Sequence, residues 1–368
     1  MKTVRRLFYI DIASAVAFVA CAFLALFFFI DFVDELGSIG DHGYSALQAA
    51  LYTLLLAPGH FYELMPIAVL IGTIYALARL AQSSQYTILR TSGLGPTRAL
   101  WLLASLALVF GAITFVCGDY FAPLTERVAS QLRAGFSGGL RLERSGAWIK
   151  EHAATPEGER SYSINVGSAE AGTRLRDVRI FEFDADGRLL SRTAAATAAV
   201  AKNGVWTLRG VTVTRWLDAG ADSTAKEQEQ ATMQWKSTLS PDVVAGALLP
   251  VTTMSTFDLW RYIGHLSDNE QADEVQKIQF WKRALYPFAC LVMVGLALPF
   301  AYLNARSGGV SLRVFTGILL GVSFVLLNNV FRHLGLLGHW TPWIVAAAPG
   351  ALYLALSLAA FSWLVRYR

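Results

Sequence analysis

Apolar residues run without a charged interruption from Ile12 to Ile30, and five further stretches of comparable character follow. They lie at about Leu64 to Leu80, Ala99 to Gly118, Ala284 to Leu303, Val314 to Phe331 and Trp343 to Val365. A helix needs about 20 apolar residues to cross a hydrocarbon core of ~30 Å, and lipid tolerates only structures that satisfy their own backbone groups. The pattern therefore predicts six membrane-spanning helices. The second is preceded by the apolar Leu51 to Ala57 and by Pro58-Gly59, which predicts a short interfacial helix, a break, and then the span. The fifth contains Asn328 and Asn329.

Between the third and fourth spans the pattern changes. From about Gly139 to Lys236 it reads as short strands: Ala147 to Ile149, Ser161 to Val166, Val178 to Phe183, Gly204 to Leu208 and Val211 to Trp216. Asp184-Ala185-Asp186-Gly187 and Lys202-Asn203-Gly204 supply hairpin turns, because Gly and Asn accept a positive φ. The expected fold class is an α-helical membrane protein of three plus three spans with an inserted antiparallel β-domain, jellyroll-like or sandwich-like. The expected boundaries are 1–121 for the first three spans, 122–255 for the β-domain, and 256–368 for a linker helix and the last three spans. Ser255-Thr256-Phe257-Asp258 has the form of a capping box opening that linker helix.

Composition agrees: the chain is 54% hydrophobic, only 16% charged, and has a mean hydropathy of +0.43. Its formal charge of +4 is scattered rather than gathered into a basic stripe, so nucleic acid is not an expected partner. Cys21, Cys117 and Cys290 all fall in or beside apolar runs and cannot staple the β-domain. The first span follows Lys2, Arg5 and Arg6 as a signal peptide would. It is followed by Asp31, Asp34 and Glu35 instead of a small-residue cleavage site, and is expected to be retained.

Basic residues set the orientation. Lys2, Arg5 and Arg6, then Arg79, Arg90 and Arg98, then Arg306 and Arg313, and finally Arg366 and Arg368 fall on alternate connections, whereas the Asp31 to Glu63 connection carries acids alone. Positive residues remain in the cytoplasm, which places both termini there and the β-domain outside.

Chemical motifs are missing. The chain has no phosphate-binding Gly-x-x-x-x-Gly-Lys-Ser/Thr loop, no His-Glu-x-x-His and no Gly-x-Ser-x-Gly, so no cofactor is expected in it and any ATP and Mg would be bound by a separate ATPase. No metal site is expected either. Asp184 and Asp186 lack the further ligands of a calcium loop and read as a hairpin tip. His60 and Glu63 sit beside Pro58-Gly59, open to an interfacial or a functional reading. Gly317 and Gly321 permit close helix approach, either as static packing or as a sliding seam between subunits.

The loop from Leu80 to Gly93 is acid-free, and its Ile88 and Leu89 suit a short helix at the membrane surface. It reads either as a bland interfacial helix or as a coupling helix, about 82–93, docking into an ATPase. Here a resemblance becomes specific. The string Ala81-Gln82 through Ser92-Gly93, the upstream Tyr44-x-x-Leu47 and Leu51 to Leu55 with Pro58 and Pro66, the Phe32 to Leu36 run, and Ala122-Pro123 with Glu126 resemble the LptF/LptG permease family. The later Arg313-Val314-x-Thr316-Gly317-Ile318 run resembles the LptG branch more than the LptF branch.

That resemblance implies a permease subunit, not an enzyme, of an ABC transporter in the bacterial inner membrane that extracts lipopolysaccharide and passes it to a periplasmic bridge. It implies an LptF-type partner in a heterodimer, an LptB-type ATPase dimer below and an LptC-type single-span protein beside the first span. Acyl chains would meet a lining of Phe23, Phe27, Leu64, Met65, Leu319 and Phe324, and headgroup phosphates would meet arginines at the rim. Arg133 falls where LptG members carry a basic residue, and Arg127 and Lys282 are added by position. ATPase coupling would rest on Gln85, Tyr86, Ile88, Leu89 and Arg90. Gln85 stands where the family often has an acid, leaving apolar docking and Arg90. Asp31, Gly37 and Ser38 stand where some members place lysines, so headgroup phosphates would be held by the third-span arginines, by the partner chain, or through divalent ions bridging to Asp31 and Asp34.

Two other classes compete: an FtsX-like mechanotransmitting permease or lipoprotein-releasing permease that moves no lipopolysaccharide, and an intramembrane enzyme. Lipoprotein-releasing permeases have four spans, and an enzyme would lack paired catalytic residues.

Overall fold

The computed structural model describes residues 2–40, 43–83, 96–136, 140–141, 147–155, 158–169, 174–201, 204–216, 225–237, 239, 244, 254–268, 274–302 and 309–367. In chain order they form α1 (Lys2–Glu35), α2 (Ala46–Gln82), α3 (Pro96–Val116), a π-helical turn (Cys117–Phe121) and α4 (Ala122–Phe136). Strands β1 (Leu140–Arg141), β2 (Ala147–Thr155), β3 (Gly158–Ala169), β4 (Arg174–Phe183), β5 (Leu189–Val200), β6 (Val205–Trp216) and β7 (Ala225–Lys236) follow. The chain closes with α5 (Thr256–Asp268), α6 (Glu274–Ala297), α7 (Pro299–Tyr302), α8 (Val310–Leu337) and α9 (Pro342–Tyr367). Among the described residues six helices are long and apolar enough to cross a membrane, as the pattern predicts.

One prediction is corrected. Pro58-Gly59 does not break the chain: α2 runs unbroken from Ala46 to Gln82 with Pro58 and Pro66 inside it. A proline in a buried span costs one backbone hydrogen bond, and neighbouring groups make up part of the loss, whereas a true break would leave several groups bare in lipid.

Two compact units emerge, one of Met1–Gly37, Thr53–Glu126 and Glu274–Arg368 and the other of Ser38–Tyr52 and Arg127–Asp273. In the first, helices meet through glycines. A Cβ added to Gly72 of α2 would lie 2.6 Å from the backbone of Val16 in α1, and one on Gly111 of α3 would lie 2.9 Å from the carbonyl oxygen of Pro287 in α6. Gly317 and Gly321 of α8 receive Ile74 and Ile67 of α2, with a built Cβ 2.7 and 2.9 Å from their methyl groups. Gly295 of α6 faces Ser357 of α9 at 2.9 Å. In lipid apolar burial does not drive association, so close van der Waals approach over small residues carries it. The core they enclose includes Ile12, Val16, Leu70, Ile74, Leu77, Leu103, Cys290 and Met293. Gly317 and Gly321 are thus packing positions within this chain.

The second unit holds the β-domain, a single antiparallel sheet in which β1 and β2 both pair with β3 and the rest follow in sequence order to β7. The sheet bends along one line. Gly167, Asp177, Ala196 and Gly210 face one another across β3 to β6 and interrupt the ladders, and Asp177 (φ 51°) and Gly210 (φ 62°) take left-handed backbone there. Such positions act as bulges that kink a strand. Inward residues change phase at the line: Leu175 and Val178, Ala195 and Ala198, Leu208 and Val211 are all buried although each pair is three apart. The sheet consequently rolls over its own core. Trp235 of β7 meets Trp206 at 5.5 Å and Tyr162 of β3 at 5.6 Å between ring centroids, and the Ser237 hydroxyl donates to the buried Glu151 carboxylate of β2 at 2.6 Å.

Three of these strands escaped the sequence reading, the two-residue β1 and the long β5 and β7. β5 is rich in alanine and β7 in Glu, Gln and Lys, residues without β preference, and both exist because β4 and β6 offer open edges. The two expected strands 204–208 and 211–216 are one strand bent at Gly210.

Candidate functional site

At the level of Pro58 to Glu63 the first unit gathers polar groups. His60 Nε2 lies 2.6 Å from Asp31 Oδ2, joining α2 to α1, and the Phe27 ring stands 5.0 Å from the imidazole. The Tyr286 hydroxyl of α6 donates to the backbone carbonyl of Glu63, and the rings of Tyr62 and Tyr286 are 4.7 Å apart. Arg283, 7% exposed, donates from Nη2 to the carbonyl of Gly118 at 3.1 Å and stands 5.9 Å over the Tyr62 ring. Sequence reasoning noticed His60 and Glu63 but missed Asp31 as the partner, and missed Arg283 altogether. The one available signal for Arg283 was a charge at the edge of a span.

The proposed lining residues separate into two sets. Phe23, Phe27 and Leu64 are half-buried and Leu319 is 54% exposed, so these present apolar surface on the helix bundle. Met65 and Phe324 are 4% and 5% exposed, and Phe324 packs edge-on against Tyr353 of α9 at 5.2 Å. Within this chain both side chains lie in the packed core of the bundle, Met65 on α2 and Phe324 on α8 where it meets α9. Lys282 is half-buried in α6, within electrostatic range of Glu63 and Arg332.

In the second unit α4 carries the other two basic candidates. Arg127 Nη2 lies 2.9 Å from Asp258 Oδ2 in α5, and the Asp258 backbone N–H is held by the Ser255 hydroxyl at 3.1 Å. Ser255 therefore caps α5 as predicted, while the carboxylate of the box turns to Arg127. Arg133 is exposed, donates to the Tyr52 hydroxyl at 3.3 Å and stacks 5.3 Å over the Tyr52 ring. A planar, always-charged fork on an aromatic platform is suited to phosphate. Arg127 is committed to a carboxylate.

The β-domain has its own polar cluster. Arg160 and the Ser191 hydroxyl both bind Glu182 at 2.6 Å, and burial together with Glu182 raises Tyr162 above the ordinary phenol value. Asp184 Oδ1 accepts from the backbone N–H groups of Asp186 and Arg188, and Gly187 sits at φ 77°, so this segment is a hairpin tip as predicted. Among the described residues no three His, Cys, Asp or Glu side chains converge on a metal position. Gln85, Tyr86, Ile88, Leu89 and Arg90 lie outside the described residues.

Six spans split three and three by a rolled antiparallel sheet, over a chain with no nucleotide motif, is the arrangement that comparison with known proteins identifies. The sequence profile of the family described as lipopolysaccharide export system permease LptF/LptG matches residues 6–364. The chain belongs to the LptF/LptG family. It is 28% identical over 332 residues to the lipopolysaccharide export system permease protein LptG of Escherichia coli (strain K12), covering 89% of each chain. To the protein of the same name from Haemophilus influenzae it is 28% identical over 304 residues, 82% of each chain. An LptF/LptG member with these spans is a multi-pass inner-membrane permease subunit of the lipopolysaccharide export system, the membrane part of an ABC transporter. Its fold class, its place in the LptG branch and its export function agree with the sequence reading.

Proposed function

We propose that this chain is the LptG-type half of a heterodimeric permease that extracts lipopolysaccharide from the outer leaflet of the inner membrane and hands it to a periplasmic bridge. The single observation that carries the reading is the family match over nearly the whole chain, on a bundle whose third and fourth spans are joined through a rolled β-domain. An LptF-type permease forms the other half. An LptB-type ATPase dimer, holding ATP and Mg, drives the pair from the cytoplasm, and an LptC-type single-span protein completes the complex. Both termini are cytoplasmic and the β-domain is periplasmic, which the placement of Lys and Arg supports.

In this reading Phe23, Phe27, Leu64 and Leu319 offer apolar surface to acyl chains, Arg133 pairs with headgroup phosphate, and Lys282 of α6 is a further candidate cation. Arg127 steadies α5 through Asp258. Gln85, Tyr86, Ile88, Leu89 and Arg90 dock on the ATPase, apolar contact and Arg90 carrying the load.

The test is photocrosslinking in the reconstituted complex with probes at Phe27, Leu319 and Arg133. Lipopolysaccharide adducts that change in yield when ATP is added are expected; no lipid adduct at any of the three overturns the reading. Leu89→Asp should in parallel lose the ATPase in a pull-down.

A further inference from the structure

The third span does not end where its apolar run ends. It passes through the π turn Cys117–Phe121 into α4, and the turn has an identifiable cause. Pro123 has no N–H, and in an unbroken α-helix its ring would press on the carbonyl of Asp119, four residues earlier. Widening the helix by one residue relieves that clash. The N–H of Ala122 accordingly reaches back to the carbonyl of Cys117, five residues away. The next carbonyl in the widened ladder, that of Gly118, would need the N–H of Pro123, which does not exist. Turn and proline together leave one carbonyl of the span without a backbone donor.

Arg283 fills that vacancy. Its Nη2 donates to the Gly118 oxygen at 3.1 Å from α6, in a position where the residue is 7% exposed. Its remaining Nε and Nη1 have no hydrogen-bond partner among the described residues. An arginine buried at that cost is not explained by packing alone. Gly118 is a glycine because the Tyr62 ring lies where a side chain would be, and the same ring supports the guanidinium at 5.9 Å. Tyr62, Arg283 and Tyr286 thereby clamp the turn between α2 and α6.

We infer that Arg283 is a positioning residue for lipopolysaccharide transfer: by pinning the orphaned Gly118 carbonyl it holds the register of the π turn, and so the register in which the third span runs on into the first turn of α4. A register change of one residue at the turn moves the next helical positions round the helix axis by about 100°. Without the pin, the Gly118 carbonyl is left bare among the helices and the turn loses the contact that holds it in one register. The functional consequence rests on the export reading above; the pin itself does not.

The experiment uses the full transporter in nanodiscs, with spin labels at the exposed Leu108 and Leu124 on either side of the turn. Arg283→Met should broaden the distance distribution and abolish ATP-dependent lipopolysaccharide release. Adding Pro123→Ala removes the cause of the turn and supplies the missing N–H, so the double variant P123A/R283M should regain a narrow distribution, displaced from the wild-type distance by the one-residue register change, without regaining release. A wild-type distribution in R283M overturns the pin, and so does a broad one that P123A does not narrow, since the arginine's charge would then be what matters. Should R283M fail to accumulate, the double variant decides: a narrow distribution supports the pin, and failure to accumulate overturns it. If the wild-type complex releases no lipopolysaccharide, the export reading fails while the spin-label arms still judge the pin.

Discussion

Asp31 Oδ2 and His60 Nε2 meet at 2.6 Å, tying the far end of the first helix to the second at a point where both side chains are about three-quarters or more buried. The first helix otherwise exposes most of its apolar span, so this bond is one of its few directional attachments. Asp31→Ala and His60→Ala should each destabilise the purified protein, and the double variant should cost little more than either single one. A coupling of about 1.5–3 kcal/mol is expected in a double-mutant thermal unfolding cycle in detergent. The bond also occupies the carboxylate that divalent bridging would need.

Gly317 and Gly321 face Ile74 and Ile67 of the same chain, and a leucine at either position has nowhere to go. Gly317→Leu and Gly321→Leu should each lower stability by about 1–3 kcal/mol, as overpacking in a filled core does. The loss should appear in this chain purified alone. A defect seen only in the assembled complex would return these glycines to a subunit seam.

Arg127 and Arg133 share one helix but differ in their surroundings, and this predicts opposite phenotypes. Arg127→Ala and Asp258→Ala should behave alike, each losing about 0.2–1 kcal/mol of stability as half-exposed ion pairs do, with export nearly unchanged. Arg133→Glu should lower export several-fold by about the strength of one charge-assisted contact while the ATPase still co-purifies. Equal export in R133E and wild type removes Arg133 from the headgroup site.

Tyr162 gives the β-domain an alkaline limit. Its hydroxyl titrates above the ordinary value because of burial and then Glu182, so the folded state keeps a proton that the unfolded state gives up. That stability is fully present below the unfolded phenol pKa of about 10 and is lost as pH rises past it. Tyr162→Phe should flatten this decline in denaturant midpoints measured between neutral and alkaline pH. An identical decline in both proteins would assign it elsewhere, Tyr262 being the other raised phenol outside the spans.

Much of the architecture could be read from local pattern. Six apolar runs, their alternating basic connections, the turn at Asp184 to Gly187 and the Ser255 cap are each defined within a few neighbouring residues. The family resemblance rests on strings of the same kind. Strands β5 and β7 were not legible, because alanines and alternating Glu and Gln become strands only when a neighbouring edge recruits them.

What the sequence determined by itself is therefore the number of spans, the place of the β-domain and the family. Only the tertiary structure decided which face of each span is covered, sending Phe324 inward against Tyr353 and Leu319 outward, and which arginine is spoken for. A helix apolar all round carries no directional signal along the chain. Its orientation arises from contacts with other helices, as the choice of Arg127 by Asp258 and of the Gly118 carbonyl by Arg283 arises from contacts between residues more than a hundred positions apart.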